Sequence, residues 1–295
     1  MFSPKIRLAL AIAVAIASWS LAWVSIRAAV THYSAGELAL GRYLVASLCL
    51  LPFWLRRRPR FERRDFPLLL GAAICGFTIY NLAINEGEKT ITAGAAAFVA
   101  STIPIFATLC AHFLLGERAK SATYVGGAIA LAGVFLIALG EDRSAGSWSE
   151  ALGQFSLSKG AILVLIASVS AAFYNVFQKK LFRKYSALDV TCAAIFLAVL
   201  TFLPFGWTLP AAVQSAPAPA TWHLIILGVF PGALGYVLWS WALSQLSVAR
   251  LVPFLYLIAP LSIPLGYVLL GELPSSLALV GGALSLFGVL FAARK

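Results

Sequence analysis

Apolar residues fall along this chain in long blocks separated by short polar stretches. One helical crossing of a bilayer needs about 20 predominantly apolar residues, and on that measure the blocks predict ten transmembrane helices. They centre on Ile6–Ile26, Ala35–Leu55, Phe66–Asn85, Ala93–Leu114, Ser121–Leu139, Lys159–Phe177, Ala187–Trp207, Thr221–Leu243, Val248–Leu270 and Ser275–Ala293. The longest linker, Gly140–Ser158, is too short for a soluble domain. The first block follows Lys5 and Arg7 as a signal peptide would, but it is long enough to span and no clear cleavage site precedes a soluble domain. It reads as the first helix.

Composition places the chain in lipid. It is 61% hydrophobic and 11% charged, against roughly 25% charged in a soluble domain. The net charge of +11 does not indicate nucleic acid, because the basic residues sit in clusters between apolar blocks. With the N-terminus cytoplasmic, the inner loops and ends collect seventeen of the twenty-two Lys and Arg residues, while the connection Gly206–Ala220 has none. Positive residues concentrate inside, so both termini are expected in the cytoplasm and the chain in a bacterial inner membrane. Cys49, Cys75, Cys110 and Cys192 lie in apolar segments without metal-ligand spacing and read as packing residues. No metal or cofactor is expected.

The chain also repeats itself. "LLGERAKSATYVGGAIALAGVFLIA" from Leu114 and "LLGELPSSLALVGGALSLFGVLFAA" from Leu269 match without a gap at thirteen of twenty-five positions. "GFTIY" at Gly76 aligns with "GALGY" at Gly232, which pairs Tyr80 with Tyr236 and, at the same shift, Pro104 with Pro260. "YSA" at Tyr33 and "LPF" at Leu51 recur at Tyr185 and Leu203, and "ASWSLAW" at Ala17 resembles "ASVSAAF" at Ala167. The expected organisation is a first five-helix repeat at 1–140, a linker at 141–158 and a second repeat at 159–295, forming one integrated all-α membrane domain. Five is odd, so the second repeat enters from the opposite side. Inverted-topology repeats can exchange conformations, closing one side of a central cavity and opening the other.

"GRYLVASLCLLPF" in the second helix resembles the drug/metabolite transporter superfamily, and its ten-helix EamA-type members in particular. So do "TAGAAAFVASTIPIFATLCAHFLLGER" in the fourth helix and "VARLVPFLYLIAPLSIPLGYVLLGE" in the ninth. The resemblance implies a metabolite exporter. Trp19, Ser20, Ile26 and Arg27 also resemble the aromatic amino acid exporter branch.

Apolar helices have little chemistry, so the polar and aromatic exceptions nominate the site. Trp19, Ser20 and Trp23 occupy one turn of the first helix, with Ser170, Tyr174 and Asn175 at comparable depth in the sixth. Tyr80, Asn81, Ser101, Tyr236, Trp239 and Tyr256 complete the candidate ring. Hydroxyls and amides satisfy amino and carboxylate groups, while aromatic faces pack an apolar side chain and attract an ammonium. An amphipathic substrate suits that chemistry, a neutral or aromatic amino acid foremost. The expected partners are that small molecule and the bilayer, in a monomer with a dimer left open.

Pro104, Pro253, Pro260 and Pro264 interrupt the fourth and ninth helices and mark them as the ones that bend. Arg27, Glu37 and Arg42 are expected to pair near the outer side, as a clamp or a gate latch. Glu117 and Glu272 read as helix-end anchors, and the glycine runs of the fifth and tenth helices as packing seams. Glu86 and Glu88 are expected in water. That leaves no carboxylate at mid-depth and favours facilitation over proton exchange. An enzyme is disfavoured, since His32, His112 and His223 lie near span ends with no nucleophile or metal-ligand pattern. A channel fits the repeat but lacks a filter-like loop or charged ring. The alternatives left open are an exporter of other metabolites or drugs driven by proton exchange, and a pore-forming channel.

Overall fold

The computed structural model describes residues 3–90, 96, 99–141, 159–270 and 276–292. Among these residues there is no strand. The chain forms α1 (Pro4–Ala29), α2 (Ala35–Arg57), α3 (Arg63–Gly87), α4 (Ile103–Leu115) and α5 (Ser121–Glu141). It continues with α6 (Lys159–Leu181), α7 (Ala187–Phe202), a short α8 (Leu209–Ser215), α9 (Ala218–Gln245), α10 (residues 248–270) and α11 (Ser276–Ala292). Among the described residues six helices are long and apolar enough to cross a membrane: α1, α2, α3, α6, α7 with its extension to Gly206, and α9. Shorter apolar helices lie within α4, α5, α10 and α11. A helix satisfies its own backbone polar groups, which lipid cannot. Much of the expected fourth span, most of the 141–158 linker, Glu272, Arg294 and Lys295 lie outside the described residues.

Local sequence explains where the helices begin. In "YSAGE" Ser34 caps α2 and accepts from the Glu37 amide, while Glu37 reaches back to the Ser34 amide at 2.8 Å. This is a capping box, in which two orphan donors are satisfied reciprocally. In "YSALD" Ser186 caps α7 in the same way, accepting from the Asp189 amide. The preceding tyrosines tie each turn to the other half. Tyr33 Oη lies 2.8 Å from Thr221 Oγ1 at the start of α9, and Tyr185 donates to Asp65 at 2.7 Å at the start of α3.

The packing has the same exchange character. α1 lies against α9 and α10, and α6 lies against α3 and α4. α2 packs on α7, and α5 on α11. Swapping the halves maps each of these contacts onto another or onto itself. The α5–α11 seam joins the two copies of the repeated phrase. A Cβ on Gly133 would sit 2.4 Å from the Ser285 amide nitrogen, and one on Gly288 would sit 2.4 Å from that of Ala130. Small residues are what let two helix backbones approach this closely.

α3 and α9 share a further irregularity. Residues Ile74–Ile79 of α3 and Gly228–Gly235 of α9 are π-helical, and each segment ends immediately before the matched tyrosine, Tyr80 or Tyr236. Pro231 lies within the second segment, where it removes one backbone donor. π-Turns of this kind gather at functional sites.

Candidate functional site

A cavity of about 100 Å³ opens where α1, α2, α3, α4, α6, α9 and α10 converge. One water needs about 10–15 Å³, so the space holds several waters or the polar head of a small solute. Trp19, Trp23, Tyr80 and Ser101 line it from the first half, and Tyr174, Asn175, Tyr236 and Trp239 from the second. Eight of the twelve residues nominated for binding therefore meet on one surface. Ala22, Ile26, Ile84, Ile103, Leu255 and Ile258 supply apolar wall between them. These positions carry no signal in the sequence, because an Ile facing a cavity reads the same as one facing lipid.

The aromatic wall is held in place. Trp19 packs edge-on against Tyr236 at 5.4 Å and tilts against Trp239 at 5.1 Å. Phe77 sits behind, 4.7 Å from Tyr236 and 5.2 Å from Tyr174 between ring centres. The polar handles of Trp19, Trp239 and Tyr236 are engaged, while the Tyr174 hydroxyl is buried without a partner among the described residues. Trp19 Nε1 donates to the Pro231 carbonyl at 3.3 Å, and Trp239 Nε1 donates to Asn175 Oδ1 at 3.0 Å. Tyr236 Oη reaches the Gly76 carbonyl at 3.5 Å. Carbonyls of the two π-segments thus hold the polar edges of Trp19 and Tyr236.

The other four nominees sit behind the wall. Ser20 is fully buried and donates to the Ile16 carbonyl at 2.9 Å, with the Ile258 carbonyl at 3.2 Å. Ser170 donates to the Cys75 carbonyl at 2.8 Å, beside the π-turn of α3. Tyr256 is buried against Ala130, Val134 and Val289. Asn81 donates to Tyr43 Oη and to the Phe77 carbonyl, both at 2.8 Å, and it accepts from Arg42 Nη1 at 3.1 Å.

The charged residues differ most from expectation. Arg42 lines the cavity, although it is only 4% exposed. Its contacts are Asn81 and the Tyr43 ring, 5.4 Å from the guanidinium carbon. Its Nε has no hydrogen-bond partner among the described residues. Glu37 is not its partner, because the capping box uses that carboxylate. The expected Arg27–Glu37–Arg42 cluster is accordingly not what places Arg42. Arg27 instead acts electrostatically on Glu88.

Glu88 corrects a second expectation. It follows α3 directly and lines the cavity, half-buried as a residue. Its Oε1 is buried and unpartnered among the described residues. Burial pushes the Glu88 carboxyl up to about 8 against the opposing pull of Arg27. Tyr80, Ile84 and Glu88 recur every four residues, so one helical stripe faces the cavity. That spacing was the available signal. It was missed because a carboxylate at a span end ordinarily reads as solvated.

Pro104 and Pro253 each open a helical segment, α4 and the 3₁₀ stretch Val252–Leu257, and both are buried. Pro264 lies within α10 on an exposed face, and Pro260 follows the end of the 3₁₀ stretch. Glu117 accepts from the Ala249 amide at 3.4 Å, in keeping with a helix-end anchor. Among the described residues no group of His, Cys, Asp or Glu is placed to hold a metal ion.

Comparison with known proteins joins this geometry to a family. A chain from a crystal structure superimposes with a TM-score of 0.76 over 98% of this chain and 97% of its own length, at 20% identity, so the two share a fold. A protein of Streptantibioticus cattleyicolor described as a probable terminal-alkyne amino-acid exporter is 35% identical over 97% of this chain and 93% of its own. The uncharacterized transporter YdfC of Bacillus subtilis is 30% identical over 95% and 89%. The model of the EamA-like transporter family matches twice, at residues 6–139 and again at 158–294. Helices able to cross a membrane, a shared aromatic cavity and a double family match across nearly the whole chain identify a membrane transporter that belongs to the EamA-like transporter family.

Proposed function

We propose that this transporter exports small amphipathic metabolites, neutral or aromatic amino acids foremost, across the bacterial inner membrane. It is a carrier built from two five-helix inverted repeats, 1–140 and 159–295, that exchange conformations around the cavity. The observation that carries this reading is the cavity itself. Its walls come from both halves, its aromatic faces suit an apolar side chain, and a buried cation and a buried carboxyl suit a charged head. Exchange-symmetric packing supports alternating access, as do the π-segments ahead of Tyr80 and Tyr236. The similarity to a protein described as an amino-acid exporter supports the substrate class.

Glu88 favours proton exchange as the driving mode over the simple facilitation expected from sequence. A buried, protonatable carboxyl in the transport cavity is what a proton relay requires. Counterflow in proteoliposomes loaded with single amino acids, at equal pH on both sides, tests the carrier. Saturable exchange of neutral or aromatic amino acids is expected, and a pH gradient should then drive net flux. Tyr80→Phe and Tyr236→Phe should each slow exchange in protein that still folds. No exchange across the panel removes the amino-acid assignment, and unsaturable flux makes the protein a channel.

A further inference from the structure

Two ionisable groups share this cavity without satisfying one another. Arg42 is more than nine-tenths buried, holds one neutral acceptor at 3.1 Å and leaves Nε unpartnered among the described residues. Glu88 leaves Oε1 buried and unpartnered. A buried charge is tolerated when it is paired and hydrogen-bonded, and the described ion pairs do not join these two. Both nonetheless act electrostatically on the Tyr80 hydroxyl, and Tyr80 lines the same cavity. Resting on the amino-acid reading above, we propose that Arg42 and Glu88 are the two poles of a zwitterion site. Arg42 takes the substrate's carboxylate and Glu88 its ammonium.

The spacing agrees with a bridging ligand. Asn81, which holds the Arg42 guanidinium, lies seven residues before Glu88, an axial offset of about 10 Å. A charge-assisted hydrogen bond at each end is about 2.8 Å, and the amino nitrogen and a carboxylate oxygen of an α-amino acid lie about 3 Å apart. The chain guanidinium–carboxylate–ammonium–carboxylate therefore spans about 8–9 Å. A bridge of that length is comparable to the offset along α3, so a zwitterion suits the space between the two groups. The side chain then lies against Trp19, Trp23, Tyr236 and Trp239. A planar guanidinium offers two parallel donors to a carboxylate, which a lysine ammonium does not.

The test is competition for counterflow by full-length protein, using L-phenylalanine, its amide and 3-phenylpropionate. The amide has lost the carboxylate charge and the propionate has lost the amine. Wild-type protein should prefer L-phenylalanine to either analogue by at least about tenfold, since unpaired polar groups reject a ligand lacking their partner. Arg42→Gln should erase the preference over the amide and keep the preference over 3-phenylpropionate. Glu88→Gln should do the reverse. Arg42→Lys, which keeps the charge, should give an intermediate preference and serves if Arg42→Gln fails to fold. Equal loss for all three probes, with the ratios unmoved, overturns the assignment and leaves amino-acid transport standing. Absence of phenylalanine and other amino-acid counterflow in wild-type protein overturns the proposed function and this site with it.

Discussion

Gly76 is where cavity geometry can be tested with a single methyl group. It lines the cavity inside the π-turn of α3 and faces Tyr174. A Cβ built there would lie 2.3, 2.5 and 2.7 Å from Cδ2, Cγ and Cε2 of that ring. Ordinary carbon–carbon contact is about 3.5–4.0 Å, so Gly76→Ala requires the ring to retreat by about 1 Å. Phe77 and Tyr236, at 5.2 and 5.9 Å between ring centres, limit where it can go. Overpacking of this kind costs about 1–3 kcal/mol, and the displaced ring intrudes on a cavity of only about 100 Å³. The variant should unfold earlier in a tryptophan-fluorescence melt and show a raised KM in counterflow. Tyr174→Leu removes the ring, so the double variant should be less destabilised than the sum of the singles by about 1 kcal/mol or more. Wild-type stability and KM in Gly76→Ala, or strict additivity in the cycle, would refute the placement of Tyr174 over Gly76.

The remaining predictions concern the seam, an exposed turn, a surface ion pair and the cavity carboxyl. Gly133→Leu should abolish recovery of monodisperse protein in size-exclusion chromatography, because its Cβ meets Ser285 and Gly281 backbone atoms at 2.4 and 2.6 Å, which no rotamer relieves. Gly116→Ala has open space but a φ of +69°, so it should cost about 1–2 kcal/mol of strain in the same melt and leave transport intact. Arg57→Ala removes two contacts to Asp189, at 2.6 and 3.0 Å, from a side chain that is 46% exposed, and solvent screening should hold the loss to about 0.2–1 kcal/mol. The Glu88 carboxyl, raised to about 8, is mostly protonated at neutral pH, and an ammonium binds its ionised form. Half-saturation should therefore weaken about tenfold per pH unit below 8 and level off above it, and Glu88→Gln should flatten the profile. Arg27 of α1 acts on this carboxyl, which in turn acts on Tyr80 of α3. Lys89 is engaged by Glu86 at 2.8 Å, and Lys159 starts the neighbouring α6.

Sequence alone carried the membrane class, because lipid demands long apolar helices and almost no charge, and both demands can be counted residue by residue. It also carried the repeat, and through the repeat the pairing of Tyr80 with Tyr236 and the family resemblance. Trp19, Trp23, Tyr174 and Trp239 were legible as cavity residues because aromatic groups of matching depth in two halves have few other reasons to recur. What only the tertiary structure decided was which polar groups face the cavity and which face a neighbouring carbonyl. Ser20, Ser170 and Asn81 look like binding groups in the sequence, yet their hydrogen bonds close on backbone or on Arg42. Arg42 looks like a partner for Glu37 until the capping box takes that carboxylate. Glu88 looks solvated until α1, α3 and α6 converge around it. A side chain's partner is set by helix rotation and by segments distant along the chain, here an Arg and an Asn thirty-nine residues apart. Hydropathy measures how deep a residue lies in the membrane, whereas helix packing sets the direction it faces.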